Sequence, residues 1–280
     1  MKILCNKKAT NAEGKISFLS SFKNLELIVA DKKEDFLDYI QDLKKRERVV
    51  VLGGDGTINL VAQELAFSDI PLGIIPAGKG NDFAKFLELP VDVLEAVLIT
   101  RWFEKEKVSL GKVNDRFFCN SFGIGFDAFV IGVTQRRGDN SYKLTAMRHA
   151  LSYEGFEAGL RATLQNGWIL EVEDKFLMIV FANGKTEGGG IYISNKDIED
   201  QYITMTVVRN SGKVKRLLAL PYFFTPYFQK PDIVESYKIK KAELDLPKGV
   251  RKQMDGDVFY NDVKRVQACP QALTVIKGGS

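Results

Sequence analysis

Hydrophobic positions along this chain follow one rhythm up to about residue 107 and another beyond it. In the first stretch, short apolar runs at 2–5, 25–30, 49–52 and 71–76 alternate with segments of helical spacing at 34–45, 58–65 and 91–99. The runs are too short for buried helices, and the run at 49–52 is rich in β-branched valine, so they read as strands. Phe36, Leu37, Ile40 and Leu43 share one helical face, as do Ile58, Val61, Ala62 and Leu65. Strand alternating with helix predicts an α/β domain over residues 1–107, built on a parallel, Rossmann-like sheet. From 108 to 280 the punctuation changes. Asn114-Asp115 and Asn166-Gly167 separate apolar runs as hairpin turns do. Strands are expected at 168–173, 176–182, 202–208 and 234–241, with a helix at 143–155. This predicts a β-rich second domain whose last residues could pack back on the first. The aromatic segment 217–228 reads as buried packing, with contact to a lipid as the alternative.

Two of the predicted strands run directly into glycine loops. Gly53-Gly54-Asp55-Gly56-Thr57 joins the strand at 49–52 to the helix at 58–65. Gly78-Lys79-Gly80-Asn81-Asp82 follows 71–76 and precedes a helical face of Phe83, Phe86 and Leu87. Glycine permits positive φ and lets backbone amides come close to a ligand. Thr57 and Asn81 suit helix caps, so each loop offers a helix N-terminus that favours an anion. At the carboxyl ends of parallel strands, two such loops could hold one nucleotide. Asp55 is the discordant member, because a carboxylate facing phosphate is repelled unless a metal lies between them or a proton is being handled. Taken alone, such a glycine run is also what a tight turn looks like.

Composition narrows the partners. A chain that is 45% hydrophobic and 27% charged has material for a globular core. The net charge of +4 is mild and dispersed, which speaks against nucleic acid; the basic runs at 44–46, 136–137 and 213–216 read as solvated faces or as contacts to anionic lipid. Cys5, Cys119 and Cys269 are odd in number and widely spaced, so neither a disulfide framework nor a zinc site is expected. No signal peptide or membrane-length apolar run is visible, and a cytoplasmic protein is expected. His149, the one histidine, lies in a helical-looking segment and reads as a surface or packing residue.

Five ordered stretches now resemble a known family: Gly53-Gly54-Asp55-Gly56-Thr57; residues 76–84; residues 120–128; Phe181-Ala182-Asn183-Gly184 with Gly188-Gly189-Gly190; and Met254-Asp255-Gly256-Asp257. They are similar to the diacylglycerol-kinase and sphingosine-kinase lipid kinases, above all their compact bacterial members, over nearly the whole chain. The first stretch is shared in part with NAD kinases and phosphofructokinases; the second is much more specific.

The resemblance implies an ATP site in a cleft between the two domains and transfer of the γ-phosphate to a lipid hydroxyl, with diacylglycerol the expected acceptor. It places Gly53, Gly54, Asp55, Gly56, Thr57, Gly78, Lys79, Gly80, Asn81 and Asp82 at the nucleotide, with Asp55 by the magnesium-linked phosphates. Asp127 would line the cleft, and the Asp255-Gly256-Asp257 turn would supply the base. Asn6, Gly14 and Lys15 match the family's N-terminal motif loosely, and Lys15 is carried over as a nucleotide residue on that match. A structural magnesium would fall to Asp200, with Asp197 and the Tyr202 carbonyl as neighbours, although acids in a loop also make an ordinary solvated turn. The implied partners are ATP, Mg²⁺ and a lipid met by transient contact with a membrane surface; a homo-oligomer is compatible.

The sequence departs from the family at Lys79, where threonine is usual, and at Asp257, where glutamate is usual. Two rivals stay open: a NAD kinase, which shares the opening motif, and a catalytically weak nucleotide- or lipid-binding regulator, suggested by Lys79, Asp257 and the loose N-terminal match.

Overall fold

The computed structural model describes residues 1–43, 48–102, 104–137, 142–187, 191–194, 201–224 and 230–278. The chain forms two compact units, Met1–Ser109 with Gln271–Ser280, and Leu110–Pro270.

In the first unit, β1 (Lys2–Asn6), β2 (Glu26–Ala30), β3 (Val49–Gly53) and β4 (Leu72–Pro76) are parallel, in the order β4-β3-β1-β2. Every position of β3 and β4 is buried, which is why these strands read as unbroken apolar runs. Helices α1 (Ala12–Ser20), α2 (Lys33–Leu43), α3 (Asp55–Leu65), α4 (Asp82–Phe86) and α5 (Val93–Trp102) belong to this unit. The end of β16 (Arg265–Lys277) adds to the sheet, pairing Val275 in parallel with Leu72. Hydrophobic spacing did not reveal α1, because it buries only Ala12 and Leu19 and presents no apolar stripe.

The second unit is antiparallel. Its strands are the end of β5 (Glu104–Val113), β6 (Arg116–Phe118), β7 (Ser121–Gly125), β8 (Phe156–Leu164), β9 (Ile169–Ala182), β12 (Ile203–Arg209), β13 (Val234–Asp245), β14 (Lys252–Met254), β15 (Asp257–Phe259) and the start of β16; β10 (Thr186–Glu187) pairs apart with β11 (Ile191–Tyr192). The hairpin turns at Asn114-Asp115 and Asn166-Gly167 form, with Asn114 and Gly167 at φ 50 and 89. From Met178 to Ala182, β9 turns its side chains alternately into two clusters. One cluster holds Phe118, Phe122, Phe176 and Phe181, with the Phe122 and Phe259 rings edge to face at 5.6 Å. The other packs the sheet against α6 (Phe126–Arg137), α7 (Tyr142–His149) and α8 (Lys213–Phe224).

Three expectations are corrected here. The strands at 168–173 and 176–182 are one strand, because the polar pair Asp174-Lys175 stays in the ladder opposite Ala158 and Glu157. The helix at 143–155 ends at His149, and the chain then turns towards β8. The aromatic segment is not uniformly buried: its described part lies in α8, where Phe223 is buried but Leu217 and Leu218 are exposed. Among the described residues, no helix is long and apolar enough to cross a membrane.

A partly exposed ion cluster ties three neighbouring strands of the second unit. Arg209 on β12 donates to Glu235 on β13 at 2.8 Å and to Asp174 on β9, and the Tyr237 hydroxyl donates to Glu235. The Arg209 hydrogen bond, and after it that from Tyr237, holds the Glu235 carboxyl below its ordinary 4.5. A carboxyl with a depressed folded pKa stabilises the fold above its unfolded value, and that contribution is lost as pH falls through the folded value. The stability difference between the native protein and Glu235→Gln, measured by urea unfolding, should therefore be flat at neutral pH and shrink progressively below pH 4.5.

Candidate functional site

In the first unit, three loops meet at the carboxyl ends of β1, β3 and β4, where open parallel sheets bind ligands. Gly53 is opposite Pro76 in the register, so the two glycine loops leave the sheet side by side. A Cβ on Gly54 would stand 2.9 Å from Gly78 Cα, and one on Gly78 would stand 2.7 Å from Gly54 Cα. The backbones touch, so neither position admits a side chain without displacing the other loop. The first loop joins in through Asn6, whose amide donates to Thr57 Oγ1 at 2.7 Å, and Asn11, whose amide donates to the Gly78 carbonyl at 3.1 Å.

The two expected caps act differently. Gly54 is the N-cap of α3, and no side chain caps it; the Thr57 hydroxyl accepts from Asn6 and packs over Gly53. Asn81 is at the N-cap of α4 with φ 50, but its side chain turns back, accepting from Gly78 N at 2.8 Å and donating to the Gly78 carbonyl at 3.0 Å. Asn81 thereby fixes the second loop's shape. Asp55 reaches across instead, accepting from Phe83 N at 3.2 Å in the first turn of α4. A Cβ on Gly80 would lie 3.0 Å from Asp82 Oδ2 and 3.1 Å from Asp55 Oδ2, so two carboxylates from different loops converge there. Lys79 is exposed beside them, as is Gly56 at the start of α3. The loops thus present a helix N-terminus and an exposed ammonium, groups of the kind that can bind phosphate, beside two carboxylates.

Lys15 stands differently from the expectation. Its ammonium donates to the Pro76 and Val91 carbonyls, both at 2.7 Å, and so supports the root of the second loop. Burial lowers its pKa, and the charge of Asp92 partly offsets that.

In the second unit, Asp255-Gly256 is a two-residue turn between β14 and β15, with φ 48 and 86 as a type I′ hairpin requires. The Asp255 carboxylate accepts from three consecutive backbone amides, Cys119 at 2.8 Å, Asn120 at 2.8 Å and Ser121 at 2.9 Å. Both its oxygens are engaged in holding the approach to β7. Asp257 is exposed; its backbone pairs with Met254 across the hairpin, and among the described residues no hydrogen bond holds its side chain. Beneath the turn, Gly256 N donates to Gln253 Oε1 at 3.0 Å, and Gln253 Nε2 donates to Asp127 Oδ2 at 2.8 Å. Tyr142 closes the network by donating to Asp127 Oδ1 at 2.7 Å. Asp127 is 1% exposed, and Gly123 makes room for it: a Cβ there would fall 1.9 Å from Asp127 Oδ2. Asp127 also borders an apolar cavity of about 40 Å³ lined by Ala146, Ala150, Leu177, Ala219 and Phe223 among others. Gln253 and Tyr142 went unnoticed in the sequence, since neither sits in a motif and neither breaks the apolar rhythm. Asp197 and Asp200 lie outside the described residues; Tyr202 is half-buried at the edge of β12. Among the described residues, no group of three or more His, Cys, Asp or Glu side chains is placed to hold a metal.

A parallel sheet with paired glycine loops, joined to an antiparallel unit that presents an aspartate turn, is the framework of a phosphate-transferring enzyme. The family model for the diacylglycerol kinase catalytic domain matches residues 3–113, and that for the YegS C-terminal NAD kinase beta sandwich-like domain matches residues 121–277. The chain belongs to the bacterial diacylglycerol-kinase-like family of lipid kinases. It is 29% identical over 246 residues to a diacylglycerol kinase of Mycobacterium tuberculosis strain CDC 1551 / Oshkosh, covering 84% of this chain and 78% of that one. A shorter stretch of 78 residues is 42% identical to a diacylglycerol kinase of Staphylococcus carnosus strain TM300, covering 26% and 25%. The crystal structure of a diacylglycerol kinase from Bacillus anthracis str. Sterne superposes with a TM-score of 0.75 over 99% of this chain and 96% of that one; at 21% identity this likeness establishes the fold. As a kinase of this family, the chain uses ATP as co-substrate.

The two aspartates of the turn should separate by stability. Removing an acceptor from buried donors costs roughly 1–3 kcal/mol per stranded group. Asp255→Ala should therefore lower unfolding stability by about 3 kcal/mol in a urea titration, whereas Asp257→Ala should stay within about 0.5 kcal/mol of the native protein.

Proposed function

We propose that this chain transfers the γ-phosphoryl group of ATP to the free hydroxyl of a diacylglycerol, giving phosphatidic acid and ADP. The observation that carries this reading is the contact of Gly54 with Gly78, which aligns two phosphate-binding loops and brings Asp55 and Asp82 towards one point. In the proposed reaction, the α3 N-terminus and the Lys79 ammonium hold the phosphates, and the loop backbones orient them. A magnesium ion carried by the nucleotide would be held by the Asp55 and Asp82 carboxylates and would neutralise charge on the transferring group. Asp257 takes the hydroxyl proton as the new oxygen–phosphorus bond forms and the bond to ADP breaks. Asp255 positions that turn through the 119–121 amides and is not itself presented to a substrate.

Labelled ATP offered with diacylglycerol micelles, sphingosine micelles or NAD tests the reading directly. Label is expected in phosphatidic acid; label in NADP, with none in any lipid, would overturn it. Asp257→Asn should lower kcat by about 10²–10⁴-fold with the fold intact, and Lys79→Ala should raise the KM for ATP by about tenfold as a charge-assisted phosphate contact is lost.

A further inference from the structure

The outer faces of α7 and α8 carry exposed apolar side chains. Their inner faces are occupied: Ala146 of α7 and Ala219 and Phe223 of α8 enter the buried cluster against the sheet. On the opposite side of α7, Leu144 and Met147 are exposed, Met147 at 55%, and Leu151 follows at the helix end. On α8, Val214, Leu217 and Leu218 are exposed at 72%, 54% and 70%. One exposed leucine is ordinary; six large apolar residues on two adjacent elements form a patch that folding alone does not explain. The elements are adjacent because Arg216 of α8 donates to the Tyr153 carbonyl at 2.5 Å just beyond α7, and the Lys143 ammonium lies 5.6 Å from the Phe224 ring.

Charge chooses the occupant of this patch. Neither helix contains an aspartate or glutamate, and Lys143, Arg148, Lys213 and Lys215 are all exposed around the apolar residues. Asp232 pairs with Lys215 at 2.6 Å, whereas Lys143, Arg148 and Lys213 form no ion pair among the described residues. A second copy of the chain, meeting this face through its own, would set basic residues against basic residues. A bilayer rich in anionic headgroups satisfies both features at once: leucine, valine and methionine side chains enter the acyl boundary while lysine and arginine meet lipid phosphates.

We propose that the α7–α8 face of the second unit docks the protein on anionic membrane. The inference deepens the lipid-kinase reading, because a lipid hydroxyl must be met at a bilayer, but its test needs no turnover. The full chain would be floated, without ATP or diacylglycerol, on vesicles of phosphatidylcholine mixed with phosphatidylglycerol and on vesicles of phosphatidylcholine alone. The native protein should partition about tenfold better onto the mixed vesicles. Leu217→Ser/Leu218→Ser should lower that partition by about tenfold, and Lys213→Gln/Lys215→Gln should weaken the preference for phosphatidylglycerol. All four positions are solvent-facing, and unchanged thermal unfolding would confirm intact folds. Flotation of the leucine variant equal to that of the native protein would overturn the proposal. So would a light-scattering mass that halves in that variant while its flotation is unchanged, since the face would then bind a second copy. Turnover of monomeric dioctanoylglycerol by the leucine variant at the native rate is the expected companion result. A native protein that floats yet phosphorylates no lipid would support docking and count against the kinase reading alone.

Discussion

The approach of Gly54 to Gly78 is the constraint on which the arrangement of the first unit's loops rests. Two peptide backbones in contact leave no room for a Cβ on either side, so each loop fixes the path of the other at this point. Rigidity matters because stabilising phosphate charge depends on dipoles already aimed at it; donors that must reorganise lose most of their advantage. The surrounding polar contacts serve the same end. Asn81 ties its own loop, Asn6 and Asn11 bring in the β1 loop, and Lys15 anchors the root of the second loop through two carbonyls. Each uses a side chain to fix backbone, which frees the exposed end of α3 and Lys79 for a ligand.

The second unit solves a similar problem with a carboxylate. Asp255 gathers three amides of residues 119–121, and Gln253 links the same turn to buried Asp127. Two glycines make this possible: Gly123 accommodates Asp127, and Gly184 accommodates Asn120, whose Oδ1 would lie 1.9 Å from an added Cβ. Asp255 is therefore to its turn what Asn81 is to the second glycine loop, a residue whose side chain fixes the backbone around it.

The first half of the fold was legible because β3 and β4 are buried on both faces, and such strands announce themselves as compact apolar runs between glycines. Elements with mixed environments were harder. β9 lies in the sheet along its whole length but is half-solvated in its first part, so Asp174-Lys175 looked like a break. In α8, Pro221 and a run of aromatics hid a helix, and α1 lacks any stripe. The glycine loops were visible because glycine marks backbone geometry directly. The roles of Thr57 and Asn81 were not, because capping by sequence position assumes a side chain serves its own helix, whereas here Asp55 serves α4 from another loop. Gln253 and Tyr142 had no local signal at all; their importance comes from pairing with Asp127 across more than a hundred and across fifteen residues of chain respectively.

The departures at Lys79 and Asp257 acquire a physical sense from this arrangement. The second loop is shaped by Asn81 and by the Gly54 contact, not by the side chain at 79, which is exposed. A lysine can therefore occupy that position without disturbing the cradle, and it adds a mobile charge to fixed amide dipoles. The shorter Asp257 is tolerated structurally for the same reason, since the turn is held by Asp255 and Gln253. In the proposed reaction its side chain has one methylene less with which to reach a hydroxyl, so the acceptor would approach the turn more closely than it would a glutamate. Buried Gln253 and half-buried Asp255, with its three amide partners, fix the turn's backbone, and a fixed backbone would make that closer approach repeatable in the proposed reaction.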